Sequence, residues 1–210
     1  MMRPPLTLKI VEIFASLQGE GLRQGEPTIF VRLAGCNFRC SFCDTKKAWR
    51  GGQEKKIEEI IAEILNEHKK LPTLWVCLTG GEPLLQPLRP LARAIKEAGF
   101  YLQIETNGSL KPSVLADWWT VSPKPPDFYL HPEFKKKAKE IKLVVTRELN
   151  LEIIRRFRRL VPEKTPIILQ PQSARRWSEK KALFLIKAGC QHQIKNLRLM
   201  IQLHRQLQIP

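Results

Sequence analysis

Short apolar runs alternate along this chain with segments in which apolar residues recur at helical spacing. The apolar and β-branched runs predict strands near residues 6–14, 27–34, 74–79, 101–105, 118–122, 141–145, 167–170 and 197–203. The helical spacing predicts helices near residues 57–65, 85–98, 150–161 and 178–188. Strands that alternate with helices are typical of βα units, so the pattern predicts an α/β fold with a mainly parallel sheet.

The length of the chain limits how such units can close. Eight complete βα units need roughly 240 residues at about 30 residues each, and the chain has 210. Helical patterns are also missing after several predicted strands. We therefore expect one domain over residues 1–210, folded as a partial, open TIM-like barrel with fewer helices than strands. The Pro- and Lys-rich stretch 122–139 is expected to be irregular.

The chain is strongly basic, with 36 Lys and Arg against 20 Asp and Glu and a formal net charge of +16. This balance raises nucleic-acid binding as a function, but the basic residues form scattered groups without an aromatic-rich stretch. A basic, metal-binding RNA-interaction protein is kept as an alternative. No apolar run is long enough for a membrane span, and the N-terminus lacks the apolar core of a signal peptide, so we expect a cytoplasmic protein.

Three of the five cysteines, Cys36, Cys40 and Cys43, lie within eight residues. Their neighbours are polar, so burial explains them poorly, and no histidine lies at the spacing of a zinc finger. Three thiolates are one fewer than a structural zinc or a fully ligated Fe–S cluster needs, which indicates a metal centre with one open position. Cys77 and Cys190 are interpreted as structural, and an odd number of cysteines fits a reducing compartment.

The segment around these cysteines, CNFRCSFCDT, resembles the cluster-binding loop of radical S-adenosylmethionine enzymes. Further motifs are similar to those of the 7-carboxy-7-deazaguanine synthases in that superfamily. They are LQGEG at 17–21, CDT at 43–45, TGGEP at 79–83, ETNG at 105–108, SPK at 122–124 and QP at 170–171. The resemblance covers almost the whole chain. It implies a lyase that converts 6-carboxytetrahydropterin to 7-carboxy-7-deazaguanine by radical ring contraction with loss of ammonia, for queuosine or other deazapurines.

The resemblance also implies cofactors and site residues. A 4Fe-4S cluster would be held by Cys36, Cys40 and Cys43, and Mg²⁺ by Thr45, beside S-adenosylmethionine. The residues expected to contact S-adenosylmethionine are Phe42, Cys43, Asp44, Gly81, Glu82, Ser122, Pro123, Lys124, Gln170, Pro171, Gln172 and Ser173. Those expected to contact the pterin are Leu17, Gln18, Gly19, Arg32, Thr79 and Pro210. No catalytic side chain is implied beyond the cluster and the cofactor radical.

Several of these residues have ordinary structural alternatives. Thr45 can cap a turn, Arg32 can form a salt bridge within its apolar strand, and Pro210 can belong to a disordered terminus. Gly80 and Gly81 have no side chain, and we expect a ligand to approach their backbone closely for that reason.

Other roles are less sharply defined. Glu20 and Glu105 are candidates for proton handling or hydrogen bonding, with capping or loop roles as alternatives. A flavodoxin or ferredoxin-like protein is the expected reductant, and a homodimer the expected assembly. Another radical S-adenosylmethionine enzyme, such as a glycyl-radical activase, is a further alternative; the LQGEG segment and Thr45 argue against it.

Overall fold

The structure is a computed structural model that describes residues 7–172 and 175–210, and the chain divides into two compact units. Unit 1 comprises residues 7–17, 27–105 and 112–118, and unit 2 comprises residues 18–26, 106–111 and 119–210. Each unit is described by itself below. The single-domain interpretation of residues 1–210 stays a prediction.

The described residues form nine strands and six α-helices. The strands are β1 (Thr7–Leu17), β2 (Pro27–Leu33), β3 (Gln53–Lys56), β4 (Trp75–Gly80), β5 (Tyr101–Thr106), β6 (Trp118–Val121), β7 (Glu140–Val145), β8 (Ile167–Pro171) and β9 (Leu197–Leu199). The helices are α1 (Ile57–Lys70), α2 (Arg89–Glu97), α3 (Phe134–Lys137), α4 (Leu151–Leu160), α5 (Arg176–Gln191) and α6 (Leu203–Leu207). The α/β class, as an open barrel with fewer helices than strands, is confirmed.

Unit 1 is built on strands in the order β3-β1-β2-β4-β5. β1 pairs with β2 and β3 in antiparallel fashion, whereas β2, β4 and β5 are parallel. The centres of β2 and β4 are apolar and fully buried, as expected for parallel strands covered on both faces. The register places Arg32 opposite Thr79 and Leu33 opposite Gly80. The carboxyl ends of β2 and β4 therefore meet where the cysteine segment and residues 79–83 begin.

Unit 2 contains the parallel strands β6-β7-β8-β9, with α5 packed on β8 and β9. Its strand β7 has the sequence EIKLVV, in which both Glu140 and Lys142 are buried. Because side chains alternate along a strand, these two charged residues share one face of β7. A buried charge is costly unless it is paired, so this face must meet polar partners within the unit.

The stretch 122–139 is irregular, as predicted, except for the single turn of α3. It is also firmly packed, because the side chains of Phe128, Leu130 and Phe134 are buried in the core of unit 2. The predicted strand 197–203 is wrong in its second half, since β9 ends at Leu199 and α6 begins at Leu203. Among the helices of the described residues, none has both the length and the apolar character needed to cross a bilayer.

Candidate functional site

The cysteine segment follows β2 in unit 1. Cys36, Cys40 and Cys43 are half-buried thiols, and Phe42 between them is half-buried as well. The Cys43 N–H donates to the Cys40 carbonyl at 3.0 Å, and the Phe38 N–H donates to Cys36 Sγ at 3.4 Å. Burial raises the pKa of the Cys36 thiol. Within residues 7–172 and 175–210, no three His, Cys, Asp or Glu side chains are grouped closely enough to hold a metal ion. The ligand assignment therefore stays a prediction.

Gly80, which ends β4, and Gly81, which follows it, lie against the backbone of the chain itself. A Cβ at Gly80 would lie 2.2 Å from the Leu33 carbonyl oxygen, and one at Gly81 would lie 1.9 Å from that of Gly35. The Gly81 N–H donates to the Leu33 carbonyl at 3.0 Å, and the Glu82 N–H donates to the Gly35 carbonyl at 2.7 Å. Close packing against β2 and the residues after it therefore gives a structural reason for glycine here, and the approach of a ligand to these glycines stays a prediction.

Glu82 follows these glycines and is fully buried. Its carboxylate accepts a hydrogen bond from the Leu84 N–H at 3.1 Å and caps the 3-10 turn Pro83–Leu85. A buried carboxylate favours cationic or N–H partners. The predicted contact between Glu82 and S-adenosylmethionine, which carries an ammonium group, agrees with this chemistry and stays a prediction.

Arg32 of β2 is paired within unit 1. Its Nε lies 2.5 Å from Glu12 Oε1, and Lys47 Nζ lies 2.6 Å from Glu12 Oε2. Burial alone raises the pKa of Glu12, but hydrogen bonds from Lys47 and Arg32 hold it below its ordinary value. The structural salt bridge considered for Arg32 is thus present. A carboxylate clamp by the same guanidinium stays a prediction.

Thr45 precedes the 3-10 turn Lys46–Trp49, yet its side chain makes no capping hydrogen bond there. The hydroxyl donates instead to Asp44 Oδ1 at 2.9 Å, and Arg32 Nη1 lies 3.5 Å from the same hydroxyl oxygen. The capping role considered for Thr45 is therefore absent. Oxygen atoms from two neighbouring side chains lie together at this position.

In unit 2, the loop of residues 18–26 carries two of the predicted pterin contacts. The Gly25 N–H donates to the Gln18 carbonyl at 2.8 Å, and the Glu20 N–H donates to Gln18 Oε1 at 3.1 Å. Gly19 lies against the ring of His204, because a Cβ at this glycine would be 2.0 Å from Nδ1. Of the other predicted contacts, Leu17, Arg32 and Thr79 belong to unit 1, and Pro210 belongs to unit 2.

Glu20 forms an ion pair with the buried Lys142 of β7 through one carboxylate oxygen, and its other carboxylate oxygen accepts a hydrogen bond from the Gln202 amide. Burial alone raises the pKa of Glu20, but the charge of Lys142 and hydrogen bonds from Lys142 and Gln202 lower it from 4.5 to about 2. Sequence reasoning missed Lys142 and Gln202. The signal for Lys142 was the one used for Arg32, a charged residue inside an apolar strand.

This pair is expected to make unfolding depend on acidity. The pKa of Glu20 is about 2 when folded and 4.5 ordinarily, so its stabilisation is fully present above pH 4.5 and is lost as the pH falls towards 2. In urea titrations at several pH values, the stability difference between wild type and Glu20→Gln should shrink below pH 4.5. Glu152→Gln, which removes an exposed partner of Arg155, is the control. A pH-independent difference would contradict the assignment.

The predicted cofactor contacts of unit 2 follow β6, or lie at the end of β8 and just beyond it. Lys124 Nζ donates to Ser122 Oγ at 2.7 Å, and Ser122 and Pro123 are buried. Gln170 is only 2% exposed, and neither atom of its side-chain amide has a hydrogen-bond partner within the described residues. Leaving a buried polar group unpaired costs about 1–3 kcal/mol, so Gln170 is suited to a ligand that both donates and accepts.

The remaining predicted contacts of this group lie beside Gln170. Pro171 ends β8 and is buried, and the Gln172 N–H donates to Ser178 Oγ at 2.9 Å. Ser173 lies outside the described residues.

Part of the positive charge serves the fold of unit 2. Arg156 of α4 donates to the carbonyls of Asp127 and Phe128, and Arg158 donates to four carbonyls, including that of Thr165. These arginines tie α4 to neighbouring loops. Their charge therefore needs no nucleic acid to explain it.

Comparison with known proteins gives concordant similarities. A family model described as Radical SAM superfamily matches residues 30–177. The 7-carboxy-7-deazaguanine synthase of Aquifex aeolicus is 37% identical over 186 residues, which cover 84% of this chain and 83% of that protein. The enzyme of the same name from Hyperthermus butylicus is 35% identical, with 97% and 94% covered. The crystal structure of QueE from Escherichia coli matches with a TM-score of 0.76 at 30% identity, covering 94% of this chain and 95% of that one.

Proposed function

Because the chain belongs to the 7-carboxy-7-deazaguanine synthase family of radical S-adenosylmethionine enzymes, we propose that it converts 6-carboxytetrahydropterin to 7-carboxy-7-deazaguanine. The reaction contracts a ring with loss of ammonia, so the enzyme is a lyase of queuosine and deazapurine biosynthesis. The observation that carries this proposal is similarity to enzymes of that name over 84% and 97% of the chain.

The cluster would be held by Cys36, Cys40 and Cys43. Three thiols on one short segment match the donor set of a 4Fe-4S cluster that keeps one iron open. When bound, the cluster and S-adenosylmethionine supply the one-electron chemistry that removes a hydrogen atom from the substrate. The role of this chain is to bind and orient these groups.

For S-adenosylmethionine, the chain offers buried polar groups at or just beyond the ends of strands. The amide of Gln170, which has no hydrogen-bond partner among the described residues, and the buried carboxylate of Glu82 each suit a polar ligand. The family resemblance adds Phe42, Asp44, Gly81, Ser122, Pro123, Lys124, Pro171, Gln172 and Ser173.

Mg²⁺ is proposed to bind at Thr45. This hydroxyl caps no turn and lies 2.9 Å from an oxygen of Asp44. Magnesium favours oxygen ligands and keeps several waters, so one neutral hydroxyl is a sufficient protein ligand when substrate oxygens complete the shell. Arg32, with a nitrogen 3.5 Å from that hydroxyl, is proposed to bind the pterin carboxylate, and Thr79, opposite it in the register, to contact the pterin.

The remaining pterin contacts are proposed to be Leu17, Gln18, Gly19 and Pro210. A flavodoxin or ferredoxin-like reductant supplies the electron. The enzyme is proposed to act as a homodimer, since twofold assemblies are common, and in the cytoplasm, where thiols stay reduced.

The proposed function predicts one product. The chain is reconstituted anaerobically with iron and sulfide and then incubated with S-adenosylmethionine, 6-carboxytetrahydropterin, Mg²⁺ and a reductant. Mass spectrometry should detect 7-carboxy-7-deazaguanine. Deoxyadenosine without that product would keep the radical chemistry and overturn the pterin assignment.

Omitting Mg²⁺ tests the alternatives. Turnover should fall without the metal, whereas a glycyl-radical activase needs a protein substrate rather than a pterin and Mg²⁺. A colourless, zinc-containing protein with salt-sensitive RNA binding would support the RNA-interaction alternative instead.

A further inference from the structure

Residues of β7 hold the 18–26 loop of unit 2 in place. Glu140 of that strand is fully buried, and its carboxylate accepts hydrogen bonds from the Leu22 N–H and the Thr120 hydroxyl, both at 2.6 Å. A Cβ at Gly21 would lie 2.3 Å from Glu140 Oε1, so the loop backbone lies directly against this carboxylate. The main chain of the loop therefore has a fixed anchor on β7.

Glu20 links this loop to a second part of unit 2. One carboxylate oxygen is paired with Lys142, two residues along β7 from Glu140, and the other accepts the amide hydrogen of Gln202. The side chains of Glu20 and Lys142 are 15% and 7% exposed. Because hydrogen bonds to a charged group are strong when water is excluded, Glu20 is well placed to fix the position of Gln202.

Gln24 makes a second link to the same segment, residues 201–210, which we call the tail segment. Its Nε2 donates both to the Gly19 carbonyl at 2.9 Å and to the Ile201 carbonyl at 2.6 Å. The Gly19 carbonyl also accepts a hydrogen bond from the Leu203 N–H at 2.9 Å. Three successive residues of the tail segment, Ile201, Gln202 and Leu203, are thus bound to the loop at the start of α6.

The charge state of Glu20 separates the two roles considered for it. Lys142 and Gln202 keep the pKa of Glu20 near 2 against the effect of burial. A carboxylate with so low a pKa stays ionised at neutral pH, and it is poorly matched to giving or taking a proton there. Its two oxygens are engaged instead in holding β7 and the tail segment together.

We propose that Glu20 and Gln24 are positioning residues that dock the tail segment on the 18–26 loop and thereby set the affinity for the pterin. The inference rests on the proposed function, because the loop carries Gln18 and Gly19 and the tail segment carries Pro210. These are predicted pterin contacts, and they can act together only if both segments are held in place.

Kinetics of Gln24→Glu and Glu20→Gln test the proposal. Gln24→Glu replaces the donating amide group with a carboxylate, which cannot donate to the carbonyl oxygens of Gly19 and Ile201. Glu20→Gln removes the charge that pairs with Lys142. Losing a hydrogen bond of this kind costs enough to raise the KM for 6-carboxytetrahydropterin by roughly 10-fold. The KM for S-adenosylmethionine and the rate of deoxyadenosine formation without pterin should stay at wild-type values. An unchanged pterin KM, or equal rises in both KM values, would overturn the proposal.

Hydrogen exchange of a peptide spanning residues 201–210 provides a readout that needs no turnover. The reconstituted Gln24→Glu variant should exchange this peptide faster than wild type, and Glu152→Gln, an exposed substitution in the same unit, should not. Unchanged exchange in Gln24→Glu would overturn the docking role. If wild type forms no 7-carboxy-7-deazaguanine, the proposed function fails, whereas the exchange result still decides whether the loop holds the tail segment.

Discussion

Replacing Cys40 with serine should abolish formation of 7-carboxy-7-deazaguanine. The three cysteines of the segment are the whole predicted ligand set, and a serine hydroxyl does not replace a thiolate on iron. Iron and sulfide analysis after reconstitution should show a loss from about four irons per chain in wild type, and product should fall below detection. Cys36→Ser and Cys43→Ser should behave in the same way.

Cys190→Ser is the matched control. Cys190 is an exposed free thiol on α5, so its removal should leave both iron content and activity unchanged. Full iron loading of Cys40→Ser, or loss of iron in Cys190→Ser, would show that the cluster ligands have been assigned wrongly.

Gly81→Ala should destabilise unit 1 even before any cofactor is added. The new Cβ would lie 1.9 Å from the Gly35 carbonyl oxygen and 2.8 Å from that of Ala48, and both are backbone atoms that cannot rotate away. Overpacking of this kind costs about 3 kcal/mol or more. Urea unfolding of the cluster-free protein should show a correspondingly lower free energy of unfolding.

A second glycine separates this steric cost from backbone strain. Gly51 has a φ of +83° with open space around its Cβ position, so Gly51→Ala tests conformation alone and should cost roughly 1–2 kcal/mol. If Gly81→Ala unfolds at the same urea concentration as wild type, the segments around Gly35 and Ala48 can move to admit the new Cβ. Close packing would then not be the reason why position 81 is a glycine.

The alternation of apolar runs and helical spacing was sufficient to predict most of the fold. Parallel strands such as β4 and β8 consist mostly of apolar residues because their centres are buried on both faces, and such runs are visible in a sequence. The strand β3 was missed, because its sequence QEKK contains no apolar residue. Its pairing with β1 rests on main-chain hydrogen bonds, which leave no trace in the hydrophobic pattern.

For the candidate site, spacing identified the cysteines, since three ligands within eight residues form a local pattern. Contacts between residues far apart in the sequence could not be predicted. Arg32 was identified as a charge within an apolar strand, but neither Glu12 nor the contact with Thr45 follows from the sequence. The same holds for Lys142 and Glu20, which lie 122 residues apart and come together only through the fold of unit 2.

The loop that carries Glu20 is synthesised early, but its contacts with Lys142 and Gln202 can form only late in protein synthesis. Lys142 and Gln202 follow Glu20 by 122 and 182 residues. At translation rates of roughly 5–20 residues per second, Gln202 leaves the ribosome's catalytic centre roughly 10–40 s after Glu20. Until Lys142 is made, Glu20 in the LQGEG segment lacks its counter-charge. Until Gln202 is made, it also lacks its partner in the tail segment. A nascent chain lacking residues 201–210 would therefore hold this segment less rigidly than the released enzyme.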